Sequence, residues 1–344
     1  MYTGNMKASF VFGPKDVRTI ETTDPSIEKP DDVIIRIQAC GVCPFDIRIY
    51  EGLFLPYTPC PIGHEISGIV VEVGEHVQSL KAGDKVAVDA IWRCNSCYYC
   101  RRGADNLCER RKGPLPNGFA EYFKMPEKYM HKLPDSVALD EAALCEPLAC
   151  CINAIEKIYD IQLGDSVLVI GSGPIGLMFV QLLNNMGVRA IVSEPLEFRR
   201  EKALELGAGE AIDPTKVDIV EKVKSLTDGK GANAVIMTYL GESVFHQALN
   251  ASAKRGTIVF FAAAYPPIKL SFDPNIIHHK EIALVGIEGR TANHFAQAVR
   301  LLSAGKMKLN KIISHRFPLD QIKEAIETAK SRNGLKVIVE PWGK

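Results

Sequence analysis

The sequence predicts an α/β protein of two domains, one β-rich and the other a doubly wound parallel sheet with helices on both faces. Three observations lead to this prediction. The first third consists of short β-rich segments, the chain from near Cys150 alternates strands with helices, and a glycine-rich turn follows the first strand of that alternation. A chain of 344 residues is long enough to form two separate cores.

The first third is predicted to form an antiparallel, partly closed barrel. Its apolar segments are interrupted by glycine and proline, and Gly74-Glu75 and Ala82-Gly83-Asp84 are turn signals. The predicted strands are Lys7–Phe12, Asp32–Gln38, Ile66–Val73 and Lys85–Val88. Short strands separated by turns are not compatible with a helical bundle.

From near Cys150 the alternation predicts a parallel sheet. The strands are expected at Ser166–Ile170, Ala190–Ser193, Ala234–Thr238, Thr257–Phe261 and Ile282–Val285, and the helices at Ile175–Met186, Glu197–Leu206, Ile219–Leu226 and Ser243–Ala251. After Gly289, a helix (Phe295–Ala304), a strand, a second helix (Gln321–Ala329) and a last strand (Val337–Val339) are expected to rejoin the first lobe. The predicted domains are therefore residues 1–153 with 290–344, and an insertion at 154–289.

Composition argues against several classes of partner. Lys plus Arg equals Asp plus Glu, 41 each, so we expect no nucleic-acid partner and no binding to an anionic membrane. Apolar runs such as Ile258–Ala264 are too short to span a bilayer, and no secretory leader is recognised. Ten cysteines without a leader favour a reducing compartment, and we expect a cytoplasmic protein whose thiols bind metal or pack.

Four cysteines within fifteen residues predict a structural metal site. They are Cys94, Cys97, Cys100 and Cys108, and each short gap can return the next sulfur to the same side of a loop. Four thiolates can close a tetrahedron on Zn²⁺ or iron, and a closed site of this kind is structural because it has no open position. The alternative is that these residues form disulfides or are unrelated core cysteines.

A glycine-rich turn predicts a dinucleotide site. Gly171-Ser-Gly173-Pro174-Ile175-Gly176 follows a strand and opens a helix. Gly171 permits the tight turn, Gly173 lets the backbone approach a pyrophosphate, and Gly176 lets the helix pack close to the strand. The alternative is a glycine turn without a ligand.

The second strand of this domain ends at Glu194, which decides the expected coenzyme. A carboxylate there can accept hydrogen bonds from the ribose hydroxyls of NAD and would repel the 2′-phosphate of NADP. Arg199 and Arg200 follow, and a nearby arginine can serve NADP. We predict NAD, with Arg199 among the coenzyme contacts.

Candidate ligands for a second metal lie on both sides of the cysteine loop. Cys43 stands in Gly41-Val-Cys-Pro-Phe-Asp46, His64 and Glu65 stand in Gly-His-Glu-Ile-Ser-Gly, and Glu146 stands before Pro147. Singly, they could be a buried thiol, a core histidine and a solvated carboxylate. Together, thiolate, imidazole and carboxylate suit Zn²⁺ and leave a coordination position for substrate.

These motifs together resemble those of the zinc-containing medium-chain alcohol and polyol dehydrogenases, nearest the sorbitol and threonine dehydrogenase branch. Gly63-His64-Glu65-x-x-Gly68-x₅-Gly74-x-x-Val77 follows the family signature, and the cysteine loop and the dinucleotide turn come in the family's order. The resemblance extends over residues 6–341. It implies a GroES-like catalytic barrel, a Rossmann coenzyme domain, NAD, and two Zn²⁺ per chain, one catalytic and one structural.

The resemblance also implies roles for single residues. Cys43 and His64 carry over as catalytic zinc ligands, and Glu146 holds the place of the third ligand. Glu65 matches a carboxylate that contacts the metal, and Asp46 matches the acid that orients the zinc histidine. Cys145, beside Glu146, is a rival, so the third ligand stays open among Glu146, Glu65 and Cys145.

Gly286-Ile287-Glu288-Gly289-Arg290 resembles the Gly-Ile-Tyr-Gly-Arg of threonine dehydrogenases, which would lie where nicotinamide meets substrate. Arg290 could then bind an anionic or polyhydroxylated substrate, or it could be a surface arginine. Two positions depart from the family, because Phe45 and Arg48 stand where a hydroxyl residue and a histidine usually relay the proton. The predicted contacts are Ile287 for the coenzyme and Phe45, Arg48, Phe119, Glu288 and Arg290 for the substrate.

We therefore expect a zinc-dependent enzyme that transfers a hydride between NAD and a secondary alcohol or ketone of a small polyol, sugar derivative or hydroxy amino acid. Family analogy implies a homo-oligomer, a dimer or a homotetramer. The alternative from another class is a non-catalytic NAD- and zinc-binding redox sensor or structural protein, which the missing relay residues would favour. The zinc-free quinone reductases of the same superfamily lack the cysteine loop.

Overall fold

The computed structural model describes residues 4–111, 113 and 115–343. These residues form two compact units, one extending to Ala149 and resuming at Arg290, and the other formed by Cys150–Gly289. The division at Ala149 falls inside the helix Cys145–Ile155, which also contains the predicted boundary between residues 153 and 154. The domain limits given above therefore stay a prediction.

The sheets are built from strands that mostly match the β-rich segments of the sequence. In chain order they are β1 (Asn5–Gly13), β2 (Asp16–Thr23), β3 (Asp32–Gly41), β4 (Cys60–Pro61), β5 (Glu65–Val73), β6 (Lys85–Asp89), β7 (Tyr122–Pro126), β8 (Met130–Lys132), β9 (Ser166–Ile170), β10 (Arg189–Ser193), β11 (Glu210–Ile212), β12 (Ala232–Met237), β13 (Ser252–Phe260), β14 (Ala283–Gly286), β15 (Ile313–Pro318) and β16 (Lys336–Glu340).

The helices begin and end at conventional signals, such as Pro174 in the first turn of α5 and Asp218 as the N-cap of α7. In chain order they are α1 (Pro44–Tyr50), α2 (Tyr98–Arg101), α3 (Leu139–Ala143), α4 (Cys145–Ile155), α5 (Pro174–Asn185), α6 (Glu197–Glu205), α7 (Ile219–Ser225), α8 (Glu242–Ala251), α9 (Pro274–Lys280), α10 (Ala292–Ser303) and α11 (Ile322–Ser331). Within the described residues, none of them has both the length and the apolar character needed to cross a bilayer.

The first unit contains a three-stranded sheet, β2-β1-β4, and a seven-stranded sheet ordered β15-β16-β3-β5-β6-β8, with β7 paired to β3. Its pairings are antiparallel except that of β15 with β16, which is parallel. Alternate residues of β3 (Val33, Ile35 and Ile37) are buried in the main core, which also takes Ile326 of α11. Because β16 pairs with β3, the C-terminal segment contributes directly to the sheet that holds the metal ligands.

The second unit is a six-stranded sheet ordered β11-β10-β9-β12-β13-β14, and every pair is parallel. Counted from the first strand of the unit, this is the doubly wound order of a Rossmann fold. Helices cover both faces, so the central strands are almost wholly apolar, as in Ser166–Ile170. The predicted parallel sheet is confirmed, although β11 and α9 were not foreseen.

Candidate active site and metal centres

The four predicted loop cysteines converge. The Sγ atoms of Cys94, Cys97, Cys100 and Cys108 all lie within 4.8 Å of one another. The backbone N–H groups of Ser96 and Cys97 donate to Cys94 Sγ at 3.4 and 3.2 Å. All ten cysteines lie in the described part of the chain and none is bridged, so the structure does not support the disulfide alternative.

The chemistry of these thiols suits a divalent cation. Hydrogen bonds from the Ser96 backbone lower the pKa of Cys94 to about 5, whereas burial raises the pKa of Cys100 to about 12. Thiols crowded in this way can all ionise when a doubly charged ion lies among them. The donor set therefore fits the structural Zn²⁺ that the spacing predicted.

A second group of metal-ligating atoms forms around the start of α1. Cys43 is the N-cap residue of α1, and His64 and Glu65 stand at the start of β5. One ligand atom from each of Cys43, His64 and Glu65 lies within 4.8 Å of the other two. A sulfur, a nitrogen and an oxygen donor suit Zn²⁺ and leave a position open, as in a catalytic site.

Asp46 connects the two segments that carry these ligands. As the third residue of α1, it accepts hydrogen bonds from the Cys43 and Gly63 N–H groups, both at 2.9 Å. Its Oδ1 also lies 3.6 Å from His64 Nδ1. Burial lowers the pKa of His64, but the negative charges of Cys43 and Asp46 outweigh this and raise the pKa well above its ordinary value. The same charges favour a bound cation.

Glu65 is held from the opposite side by a buried lysine. Gly41 of β3 lies opposite Glu65 in β5, and a Cβ atom at position 41 would collide with the Glu65 carboxylate. Lys336, the first residue of β16, donates from Nζ to Glu65 Oε1 at 2.6 Å and to the Val42 carbonyl at 2.8 Å. Burial raises the pKa of Glu65, and the Lys336 charge opposes that increase.

Glu146 lies near this group without joining it. Its Oε1 accepts a hydrogen bond from Arg290 Nη1 at 2.6 Å, although its charge still contributes to raising the pKa of Glu65. Cys145 is fully buried, which raises the pKa of its thiol, and it is absent from the converging donors among the described residues. Of the three candidates left open for the third ligand, the geometry brings Glu65 to Cys43 and His64, while Glu146 stays a prediction.

The glycine turn of the second unit has the geometry of a dinucleotide turn. Gly171 has a φ of +92°, and a Cβ atom at Gly176 would collide with the Gly171 carbonyl oxygen. Helix α5 can therefore begin close to the end of β9, with Gly173 as its N-cap. The first N–H groups of such a helix are available to a phosphate.

Glu194 is aimed at the same turn by backbone hydrogen bonds. Its carboxylate accepts from the Ser172 N–H at 2.9 Å and from the Leu196 N–H at 3.1 Å. Arg200 donates to the Glu194 and Pro195 carbonyls and pairs with Asp213. Arg200 is thus engaged elsewhere, whereas the Arg199 guanidinium reaches the vicinity of Gly173.

Two family models match the chain, the alcohol dehydrogenase GroES-like domain at residues 29–135 and the zinc-binding dehydrogenase at residues 174–304. The chain is 32% identical to a sorbitol dehydrogenase of Bombyx mori, with 96% of this chain and 97% of that protein covered. It is 34% identical to an L-threonine 3-dehydrogenase of Pyrococcus horikoshii, with 90% and 91% covered. A protein assigned as a zinc-binding dehydrogenase from Sinorhizobium meliloti 1021, solved with NADP bound, matches with a TM-score of 0.91 at 30% identity over 98% and 99% of the two chains.

The chain belongs to the zinc-dependent medium-chain alcohol and polyol dehydrogenases. The predicted family, the GroES-like and Rossmann folds, and a dehydrogenase that uses NAD and zinc are confirmed. The alternative of a non-catalytic sensor is not favoured, because the named relatives are dehydrogenases.

Not every predicted substrate residue of the dehydrogenase faces its metal ligands. The Phe45 ring packs edge-on against His64, with centroids 5.8 Å apart, and the Arg48 guanidinium lies 5.9 Å from the Phe45 ring centre. Phe119 is fully buried in the core, and Glu288 is exposed in the second unit. Phe45 thus lies beside the candidate ligand His64 and Arg48 beside Phe45, and their contact with a substrate stays a prediction.

Arg290 of the dehydrogenase is neither a surface arginine nor available to a substrate in this arrangement. Its side chain is 2% exposed and pairs with Glu146 at 2.6 Å and with Asp89 at 3.0 Å. Its guanidinium also lies over the Phe295 ring, 5.6 Å from the centre. These contacts do not support the predicted substrate role and indicate instead that Arg290 fixes Glu146.

Lys336 and Asp89 were missed by reasoning from the sequence. Both stand at the end of an apolar strand, where a charged residue usually marks the point at which the chain meets solvent. Nothing in the spacing of Lys336 connects it with Glu65, which is 271 residues away.

Proposed function

We propose that this dehydrogenase oxidises a secondary alcohol of a small polyol, sugar derivative or hydroxy amino acid with NAD, and reduces the corresponding ketone in reverse. The convergence of Cys43, His64 and Glu65 is the observation that carries the proposal. The named relatives act on sorbitol and threonine, which supports this range of substrates.

In this proposal Cys43 and His64 would hold the catalytic zinc. The geometry favours Glu65 as the third ligand, and the resemblance favours Glu146. A zinc ion at such a site supplies a Lewis acid that lowers the pKa of a bound hydroxyl. Asp46 fixes the His64 ring by facing Nδ1, and Lys336 keeps the Glu65 carboxylate in place. Matched variants separate the candidates: Glu65→Gln should weaken catalytic metal retention more than Glu146→Gln, and the reverse order would assign the third position to Glu146.

Phe45 shapes both the pocket and the path of the proton. The phenyl ring beside His64 is apolar and can neither accept nor pass a proton. Because the Asp46 carboxylate is engaged by the Cys43 and Gly63 N–H groups, the Glu65 and Glu146 carboxylates are the proposed proton acceptors, and Arg48 adds a positive charge beside Phe45. We infer that the substrate proton leaves by way of a carboxylate or water.

We propose that the coenzyme domain prefers NAD over NADP because of Glu194. Replacing Glu194 by Ser should lower the ratio of kcat/KM for NAD to that for NADP by about 10–100-fold, the worth of hydrogen bonds to a charged group. Glu197→Ser, in the exposed first turn of α6, is the matched control. An unchanged ratio in Glu194→Ser would remove this carboxylate from coenzyme selection.

The decisive experiment combines a substrate screen with metal analysis. Purified protein is assayed with NAD and a panel of polyols, sugar phosphates and hydroxy amino acids, and its zinc is counted. We expect turnover of at least one polyhydroxylated substrate and two zinc ions per chain. Active protein with only one firmly held ion per chain would contradict the catalytic-zinc proposal.

We also propose that the protein is a cytoplasmic homo-oligomer, a dimer or a tetramer, with a catalytic domain at residues 1–153 and 290–344 and a coenzyme domain at 154–289. The unbridged cysteines support a reducing compartment. Light scattering would measure the assembly, and a monomer at micromolar concentration would contradict it.

A further inference from the structure

Five charged side chains of the first unit form an unbroken series of ion pairs, which we call the ion-pair chain. Arg93 pairs through Nε with Asp105 at 3.1 Å and through Nη1 with Asp89 at 2.6 Å. Arg290 pairs through Nη2 with Asp89 at 3.0 Å and through Nη1 with Glu146 at 2.6 Å. The order is therefore Asp105–Arg93–Asp89–Arg290–Glu146.

The ion-pair chain runs from the cysteine loop to Glu146, a candidate ligand of the catalytic metal. Arg93 immediately precedes Cys94, and Asp105 stands between Cys100 and Cys108, so one end belongs to the cysteine loop. At the other end stands Glu146, whose Oε1 is held by Arg290 and which is the third zinc ligand that the family resemblance favours. The ion-pair chain thus connects the cysteine loop with Glu146, a candidate ligand of the catalytic metal.

The ion-pair chain is buried and anchored to the backbone, so it has little freedom to adjust. The side chains of Asp89, Arg93 and Arg290 are only 1–2% exposed. Arg93 Nη2 donates to the Arg290 carbonyl at 3.2 Å, and the Asp105 carboxylate accepts from the Ala292 N–H at 3.2 Å. Water cannot replace a displaced partner at such sites, so moving one charge imposes a cost on its neighbours.

We propose that Arg93, Asp89 and Arg290 are positioning residues that transmit the conformation of the metal-loaded cysteine loop to Glu146. The loop metal would then support the catalytic centre as well as the fold. This inference rests on the proposed function, since it assumes a catalytic metal beside Glu65.

The test is the substitution Asp105→Asn, at the most exposed member of the ion-pair chain, whose side chain is 16% exposed. Asparagine keeps the shape and can still accept from Ala292, but it loses the charge that holds Arg93. We expect two metal ions per chain to remain, kcat to fall about 3–30-fold on the best substrate of the panel, and KM for NAD to stay unchanged. With Co²⁺ in the catalytic position, the visible absorption spectrum should shift relative to the parent protein.

Two further variants make the result decisive. Asp320→Asn removes an exposed pair with Lys7 in the same unit and should leave kcat and the cobalt spectrum unchanged. The double variant Asp105→Asn with Glu146→Gln should lose less kcat, on a logarithmic scale, than the sum of the two single losses, because both act through Arg290.

If Asp105→Asn does not fold, Arg93→Lys replaces it, since lysine keeps the charge but cannot bind Asp89 and Asp105 together.

Additive losses, or a lowered melting temperature with an unchanged cobalt spectrum and kcat, would overturn the inference and leave the ion-pair chain a purely structural feature. Failure of the proposed function has a different signature, because the parent protein would itself lack turnover or a second metal ion. In the absence of turnover, the cobalt spectra of the single variants still measure whether the loop and the ligands are coupled.

Discussion

The two metal centres of this dehydrogenase differ in where their ligands come from. The structural centre takes four cysteines from the single segment between Cys94 and Cys108. The proposed catalytic centre draws its candidate ligands from two segments, Cys43 at the N-cap of α1 and His64 with Glu65 where β5 begins. The nearby carboxylates, Glu65 and Glu146, are held by Lys336 and Arg290 from the C-terminal part of the chain.

The two centres therefore differ in how their ligands are determined. In the cysteine loop all four donors come from one short segment, so the spacing of the cysteines alone identifies the ligands. At the catalytic centre two carboxylates are near the same position, and each is bound by its own buried cation, Glu65 by Lys336 and Glu146 by Arg290. The position of each cation therefore determines where its carboxylate points.

The largest effect is expected from His64→Ala, which tests whether the centres are separable. Turnover should fall by about 10³-fold or more, because Lewis-acid stabilisation worth several kcal/mol is lost with the metal. Elemental analysis should find one ion per chain instead of two, and NAD binding followed by fluorescence titration should be nearly unchanged. Full activity with stoichiometric metal would refute the ligand assignment.

Lys336→Met tests the cation that holds Glu65. Removing one partner of a buried ion pair leaves an uncompensated charge and should cost about 3–5 kcal/mol of unfolding free energy. Urea denaturation of protein stripped of its catalytic metal measures this cost, because a bound Zn²⁺ would itself compensate the Glu65 charge. The matched control is Lys330→Met, whose exposed pair with Glu51 should contribute little. If both variants lost the same unfolding free energy, the buried Lys336–Glu65 pair would contribute no more to stability than the exposed Lys330–Glu51 pair.

The sequence predicted the structural centre, the parallel sheet and the glycine turn because the information for each is local. Cysteine spacing, strand–helix alternation and Gly171-x-Gly173 all act within one segment. The two candidates for the third ligand are held by Lys336 and Arg290, which reach Glu65 and Glu146 only through tertiary structure. Arg290 was accordingly expected at the substrate, since its burial against Asp89 has no signal in the sequence.

Asp46→Asn probes the residue that orients a catalytic ligand without being one. Asparagine keeps the size but removes the charge facing His64 Nδ1, and its amide cannot accept from both the Cys43 and Gly63 N–H groups as a carboxylate does. Catalytic metal affinity or activity should fall about 10–100-fold. Competition with a chelator should release one ion early while the cysteine loop keeps its own; simultaneous release of both ions would contradict the assignment of Asp46 to the catalytic ligands alone.

The smallest effect concerns His131, which faces Asp89, Arg93 and Arg290 of the ion-pair chain and packs against Phe295, with ring centroids 4.8 Å apart. Burial lowers the pKa of His131, and the two arginines add to this, with Asp89 opposing. The unfolded chain then binds a proton more readily than the folded one, so this contribution to stability is complete above the unfolded pKa of about 6.5 and is lost as the pH falls towards the lower folded value. Unfolding free energies measured between pH 8 and 5 should therefore decline less steeply in His131→Gln than in the parent protein, with His76→Gln, at an exposed histidine, as the control substitution. Identical slopes in all three proteins would show that protonation beside the ion-pair chain costs nothing, and would weaken the view that these charges are held without room to adjust.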